Sequence, residues 1–373
     1  MKFISLVESL KKGVLLAERS TGRNLTLPIL SNILLKTEKS QLKISATDLE
    51  IGLNIYINGK IEEESSIAIP AKTFSNFLVN LSEEKISLIT KENTLKVKSG
   101  NYEATIQGLP ADDFPIIPKI KSDKYLELEN EYLFEALNQI LNSAGFSSGR
   151  SELNGVYFDF NEDRLKLVTT DSFRLSEKTI NNNLFKGNLK EEKIAIVPLR
   201  TAQEVLKISQ DLKSETGIKV KIYFDPNQVL FDFGQINLIS RLVEGNYPKY
   251  ENIIPQKFET KLFLNKKSLI EAIKIAGLFS SKINDIKLIV KPDQKEILLE
   301  SQDINLGESQ AKVEAKIEGE ALVISFNYRY LLDGLNNLSG QMIFLGLNQD
   351  INPALIKNPD DNSYLYILMP IKV

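Results

Sequence analysis

Two kinds of side chain recur in this sequence at spacings that could support chemistry. Carboxylates come as adjacent pairs, Asp112 with Asp113 and Asp360 with Asp361, and as a threefold recurrence at Asp48, Asp171 and Asp303. Clustered carboxylates are the ligand type for a hard divalent cation and so for metal-assisted hydrolysis. Cations recur more strictly, with Lys72, Arg200 and Arg329 standing 128 and then 129 residues apart. A base held at one structural site in several copies suits a polyanion with a regular backbone. Most other enzyme classes are excluded, because the chain has no cysteine and no histidine. Disulfides, thiolate nucleophiles, Cys/His zinc sites, Ser-His-Asp triads and imidazole acid–base catalysis all drop out. The carboxylate pairs lie close to proline in turn-like stretches, where Asp meets local backbone needs. Each recurring Asp follows a strand pattern, and an active site has little use for three copies.

These recurrences belong to a larger one. Leu42 to Asp48 reads Leu-Lys-Ile-Ser-Ala-Thr-Asp, returns as Leu-Lys-Leu-Val-Thr-Thr-Asp at Leu165 to Asp171, and comes back more faintly at Ile297 to Asp303. Apolar residues two apart followed by Asp predict a strand running into a turn. Ile33-Leu34-Leu35, Val156-Tyr157-Phe158 and Leu288-Ile289-Val290 would be the partner strands of three hairpins. Further on, β-rich runs end at Pro70, Pro198 and Asn327, each followed by apolar residues at helical spacing. Proline is expected there in the first helical turn and asparagine as a cap. The recurring cations follow these anchors by two residues. Another helix opens each unit, over Ser5 to Ala17, Glu129 to Ala144 and Asn265 to Ser280, and further strands close it, as at Tyr102 to Gln107. With linkers near Pro115 to Ser122 and Pro248 to Lys257, the expected architecture is α+β: three repeated domains, 1–120, 121–255 and 256–373, each with two helices packed on antiparallel sheets.

A length of 373 residues is too great for one typical core, and a formal charge of −3 argues against coating DNA by bulk positive charge. Forty-six basic against forty-nine acidic residues could still be segregated. Lys267, Glu271 and Lys274 share a helix face opposite Leu269, Ile270 and Ile273, and Arg200, Gln203 and Lys207 share another; either could be an ordinary solvated face. Helices lining a cavity would turn these bases inward and leave the acids outside. Arg23, and Ser148 with Gly149 and Arg150, fall in Gly/Ser-rich stretches that read first as ordinary surface turns and whose backbone could also approach a phosphate. Glu8, Lys11 and Lys12 interrupt the apolar start, and no run nears the roughly 18 apolar residues of a spanning helix, so a soluble cytoplasmic protein is expected.

Taken together the sequence resembles the bacterial DNA polymerase III beta subunit, the DNA sliding clamp family, along its whole length. The resemblance is carried by Arg23 with Leu27-Pro28-Ile29-Leu30, Thr47-Asp48-Leu49-Glu50, Leu109-Pro110-Ala111-Asp112-Asp113-Phe114-Pro115, Leu153-Asn154-Gly155, Thr170-Asp171-Ser172-Phe173-Arg174-Leu175 and Met369-Pro370. It implies a non-enzymatic processivity factor without metal or cofactor: a homodimeric ring around double-stranded DNA, placed there by an ATP-driven clamp loader. Its partners would be a polymerase III alpha-type subunit, other polymerases and repair proteins, bound through short peptide motifs. Carried over position by position, the partner-peptide pocket would use Leu153, Thr170, Ser172, Phe173, Arg174, Leu175, Pro248, Ile253, Asn327, Tyr330, Ile367, Leu368, Met369, Pro370 and Ile371. Arg23 and the loop from Ser148 to Arg150 would contact DNA, and Ile106 would meet the region around Leu278 across the dimer joint. Ser172-Phe173 replaces a common Gly-His before Arg-Leu, and the tail ends Ile-Lys-Val rather than Met-Arg-Leu. Both departures imply a pocket floor, and a peptide preference, of this chain's own.

Elementary geometry agrees with a ring of two chains. A domain of about 125 residues is about 35 Å across; three in a triangle leave a hole of about 5 Å, six in a hexagon about 35 Å, and a duplex needs about 20 Å. The competing readings are a metal-dependent carboxylate hydrolase or nuclease and a scaffold that binds only proteins, through its sheet faces or edges.

Overall fold

The computed structural model describes residues 1–22, 27–145, 149–189, 193–349 and 351–372. They form two compact units: Met1–Asn130 with Lys186–Leu189 and Lys207–Leu242, and Glu131–Phe185 with Lys190–Leu206 and Val243–Val373. The middle repeat thus contributes to both.

In the first unit, helix α1 (Val7–Arg19) shows how the local pattern becomes packing. Val7, Leu10, Val14 and Ala17 recur every three or four residues, and all four are buried. Gly13 lies on the same stripe, where a Cβ would come within 2.9 Å of Ile57 Cδ1, so a larger residue there would require that side chain to shift. Helix α2 (Ala71–Val79) packs beside α1. A five-stranded antiparallel sheet runs Lys60–Glu63, Lys2–Leu6, Lys85–Lys91, Thr94–Ser99, Tyr102–Gln107. A nine-stranded sheet runs Phe185–Gly187, Tyr125–Glu129, Lys219–Asp225, Gln228–Asp232, Ile236–Arg241, Ile51–Asn58, Gln41–Thr47, Asn32–Glu38, Ser66–Pro70. It is continuous across two repeats because Leu238 of the middle repeat lies opposite Leu53 of the first.

Helices α3 (Asn130–Ile140) and α4 (Leu199–Asp211) belong to the middle repeat. In the second unit α5 (Lys266–Gly277) and α6 (Tyr328–Asn336) pack on each other. The sheet here has twelve strands: Lys193–Pro198, Gly155–Phe160, Arg164–Thr170, Arg174–Asn181, Asp361–Leu368, Ala354–Asn358, Met342–Leu347, Thr260–Asn265, Gly307–Gly319, Glu296–Asp303, Asp285–Lys291, Val323–Asn327. Again one pairing crosses a repeat boundary, with Leu175 opposite Ile367.

The three expected hairpins are present, with Leu35 opposite Ile44, Phe158 opposite Leu167 and Leu288 opposite Leu299. The recurring Asp ends the second strand of each by the same device. Asp48 Oδ1 accepts from the N–H groups of Glu50 and Ile51, Asp171 Oδ1 from those of Phe173 and Arg174, and Asp303 Oδ1 from those of Asn305 and Leu306. The repetition is that of an Asx turn, a backbone role needed once per copy. One expectation is corrected. Pro70 and Pro198 are not in the first helical turn but close the preceding strands, opposite Asn32 and Gly155. A residue without an N–H is tolerated at the end of an edge strand, and the fixed φ of Pro70, −58°, then aims the chain into α2.

Candidate functional site

The recurring cations occupy one position in three helices. Lys72 is the second residue of α2, Arg200 of α4 and Arg329 of α6, and all three are exposed. Among the described residues none of these helices has an acid in its first turn, nor does α5, which opens Lys266-Lys267. The N-terminal end of a helix carries partial positive charge and favours acids there, by about 0.3–1 kcal/mol each. A base at that end works against helix stability, and it adds to the positive potential of the helix end. Lys207 and Lys274 are exposed on α4 and α5, and Lys267 lies 3.9 Å from Glu271. Gly149 and Arg150 are exposed, with Arg150 Nε 3.2 Å from Glu152. Arg23 and Ser148 lie outside the described residues.

The other candidate residues are gathered in the second unit, around the turn from Thr170 to Arg174. Thr170 Oγ1 donates to the Arg174 carbonyl and accepts from Ser172 N–H at 3.1 Å, holding Ser172 at φ +75°. This is the left-handed region, where a residue with a Cβ is strained by about 1–2 kcal/mol. Ser172 occupies it under local hydrogen-bond restraint. The turn presents Phe173, 61% exposed, while its carbonyl accepts from Met369 N–H at 2.8 Å.

Arg174 turns back to be fixed on three sides. It pairs with Asp171 at 3.0 Å and with Asp333 of α6, and its guanidinium stacks 4.1 Å from the centre of the Tyr330 ring. Burial works against its charge, but the Tyr366 phenol, Asp333 and Asp171 outweigh that and raise its pKa further. Asn327 caps α6 by accepting from the N–H groups of Arg329 and Tyr330, and Tyr366 donates to the Tyr330 carbonyl at 2.8 Å. Asp333 and Tyr366 were not foreseen as members of this constellation. The signal for Asp333 was its place one turn beyond Tyr330 on the same helix face.

The expected pocket residues divide by exposure. Leu175, Ile367 and Leu368 are buried in the sheet and Leu153 in the short 3-10 turn Ser151–Leu153, and Leu175 and Ile367 share a cluster with Tyr250. They can form only the floor. Met369, Pro370 and Ile371 are half-buried, and Ile371 N–H bonds the Ser325 carbonyl, so the tail runs from the Phe173 turn to the strand that leads into Asn327. Pro248 is half-buried and Ile253 is 45% exposed. Ser172, Phe173 and Ile253 are thus the exposed members of the set, with the tail and Tyr330 half-buried beside a largely covered Arg174.

The two expected joint residues also differ. Leu278, at the C-terminal end of α5, is 70% exposed. Ile106 is only 7% exposed, because its strand alternates and Ile106, opposite Leu95, is on the inward face. The exposed aromatic of that edge strand is Tyr102, at 56%.

Comparison with known proteins accounts for the whole frame. Residues 1–118, 127–249 and 251–372 match the N-terminal, central and C-terminal domains of the DNA polymerase III beta subunit. The beta sliding clamp of Synechococcus elongatus is 29% identical over 381 residues, covering 100% of both chains, and that of Staphylococcus aureus is 30% identical over 360 residues, covering 93% of each. The crystal structure of the DNA polymerase sliding clamp from Bacillus subtilis superposes with a TM-score of 0.93 at 26% identity, covering 100% of this chain and 99% of that one. Threefold repeat, α+β build and sequence agree along the full length: the chain belongs to the DNA polymerase III beta subunit family, the beta sliding clamps.

Proposed function

We propose that two copies of this chain close head to tail around duplex DNA and tether a polymerase to it, in the cytoplasm and with no reaction of their own. The observation that carries the reading is the base at the second residue of α2, α4 and α6, a helix position where charge of that sign is locally unfavourable. Bases there gain their use from phosphates, contacted without reading sequence. Among the described residues no helix is long and apolar enough to cross a membrane. The decisive experiment loads the protein onto nicked circular DNA with a clamp loader and then linearises the DNA. A ring stays on the circle and runs off the ends. Equal loss from both forms would leave a protein-only scaffold, and cleavage of both a nuclease.

The joint would pair two incompletely paired edges. Tyr102–Gln107 ends the five-stranded sheet, and the first half of Gly307–Gly319 is paired, among the described residues, on one side only, by Glu296–Asp303. Leu278 lies at the end of α5, the helix that packs on Gly307–Gly319. We expect Leu278→Ala to shift the protein toward monomer, measured by sedimentation at low micromolar concentration. An exposed side chain contributes little to its own protomer, so the fold should be unchanged. Once buried at a joint it is worth about 2–5 kcal/mol, and because a ring of two chains holds the joint twice, the dimer constant should weaken by about a thousandfold or more. Ile106→Ala is the poorer probe, since it opens a cavity in the protomer itself. A Leu278→Ala protein that runs wholly as dimer would place the joint elsewhere.

A further inference from the structure

Four neighbouring strands of the second unit, Thr260–Asn265, Met342–Leu347, Ala354–Asn358 and Asp361–Leu368, carry a row of side chains unlike an ordinary solvated sheet face. Their registers set Phe263 beside Phe344, Phe344 beside Lys357 and Lys357 beside Leu365, and Lys316 extends the row past Phe263. Phe344 meets Phe263 and Phe258 edge-on, with ring centroids 5.5 and 5.4 Å apart. Phe258 reaches the sheet because residue 346 is glycine, where a Cβ would come within 2.5 Å of its ring. Ile254 and Pro255 complete a groove of about 930 Å³. Lys257, Lys261 and Lys357 line it against one acid, Glu318, which Lys316 already engages at 2.9 Å. The ammonium groups of Lys316 and Lys357 lie 5.2 and 5.9 Å from the Phe263 and Phe344 ring centres, within cation–π range.

We propose that this groove docks a short acidic segment of a partner protein, its carboxylates on the lysine rim and an aromatic or leucine side chain on the phenylalanine floor. Charge complementarity selects the occupant: the rim is cationic, and the floor is apolar where a nucleic-acid backbone would need further bases. The groove shares no residue with the pocket set around Arg174 and the tail, so the inference does not rest on that assignment.

The test uses the full chain and a fluorescein-labelled peptide, Asp-Glu-Asp-Phe-Glu-Leu-Asp-Glu, followed by anisotropy. Saturable binding with Kd on the order of 10–100 µM is expected. Lys257→Gln, Lys261→Gln and Lys357→Gln together should weaken it at least tenfold, as should serine in place of the peptide's Phe and Leu. Tyr330→Ala should leave it unchanged. Absence of saturable binding up to 1 mM peptide overturns the proposal. So does a serine peptide that binds equally, which means bulk charge, or competition by a single-stranded oligonucleotide, which means a nucleic-acid groove. Self-association abolished by the three lysine substitutions would make the occupant a second copy and overturn it as well.

Discussion

Reversing the three equivalent bases together, Lys72→Glu, Arg200→Glu and Arg329→Glu, is expected to weaken equilibrium binding to a short duplex by about a hundredfold or more at low salt, without loss of fold. A dimeric ring carries each base twice, so six cationic contacts change sign. Each phosphate contact contributes about 0.9 to the slope of log K against log salt, so the slope should fall by up to about 5. The stability arm separates this from a structural role. Acids are favoured in the first helical turn by about 0.3–1 kcal/mol, and exposed substitutions otherwise change stability by about 0.5 kcal/mol or less. The melting temperature should therefore hold or rise while DNA affinity falls. Anisotropy of a labelled duplex across a sodium chloride series and circular dichroism melting read the two arms. Unchanged affinity and slope would remove these residues from any DNA-facing surface.

The repeats were legible because a strand–turn–strand pattern with a fixed Asp, and a helix with a fixed base, leave local signatures. Asp48, Asp171 and Asp303 could be taken for metal ligands or turn formers, and their bonds to N–H groups two and three residues on decide for turns. What the pattern could not give was pairing between distant strands. Leu238 opposite Leu53, and Leu175 opposite Ile367, join repeats into continuous sheets, and nothing local in either strand names its partner. Ile106 shows the same limit: alternation says that a residue faces one side, and only the packed unit says which side is inside. Around Arg174 the turn was visible in sequence, but Asp333, which completes its charge, is 159 residues away. Nothing in the sequence alone signalled that Ser172 would take a φ of +75°, a region that glycine adopts more readily.

Deleting Met369 to Val373 is expected to abolish binding of a polymerase-derived peptide and to leave the dimer intact. The strand Asp361–Leu368 ends before the cut and keeps both neighbours, Arg174–Asn181 and Ala354–Asn358. The deletion removes the Met369 bond to the Phe173 carbonyl and the Ile371 bond to the Ser325 carbonyl. At about 1 kcal/mol net for each hydrogen bond, with some apolar contact besides, the fold survives with a melting temperature a few degrees lower. The surface loses more. The tail ties the Phe173 turn to the strand preceding Asn327, and without it Phe173 and the Arg174–Tyr330 stack no longer share a wall. A peptide anchored there by apolar side chains loses its enclosing contacts, and hot-spot energies of 2 kcal/mol or more per anchor make a hundredfold loss the minimum expected. Met369→Ala with Ile371→Ala keeps both backbone bonds and should fall between wild type and deletion, which separates lost side chains from a displaced backbone. The edge Tyr102–Gln107 and the exposed Leu278 are untouched, so sedimentation should still show dimer. Titration of the labelled peptide decides the matter, and affinity retained by the deletion would remove the tail from the partner site.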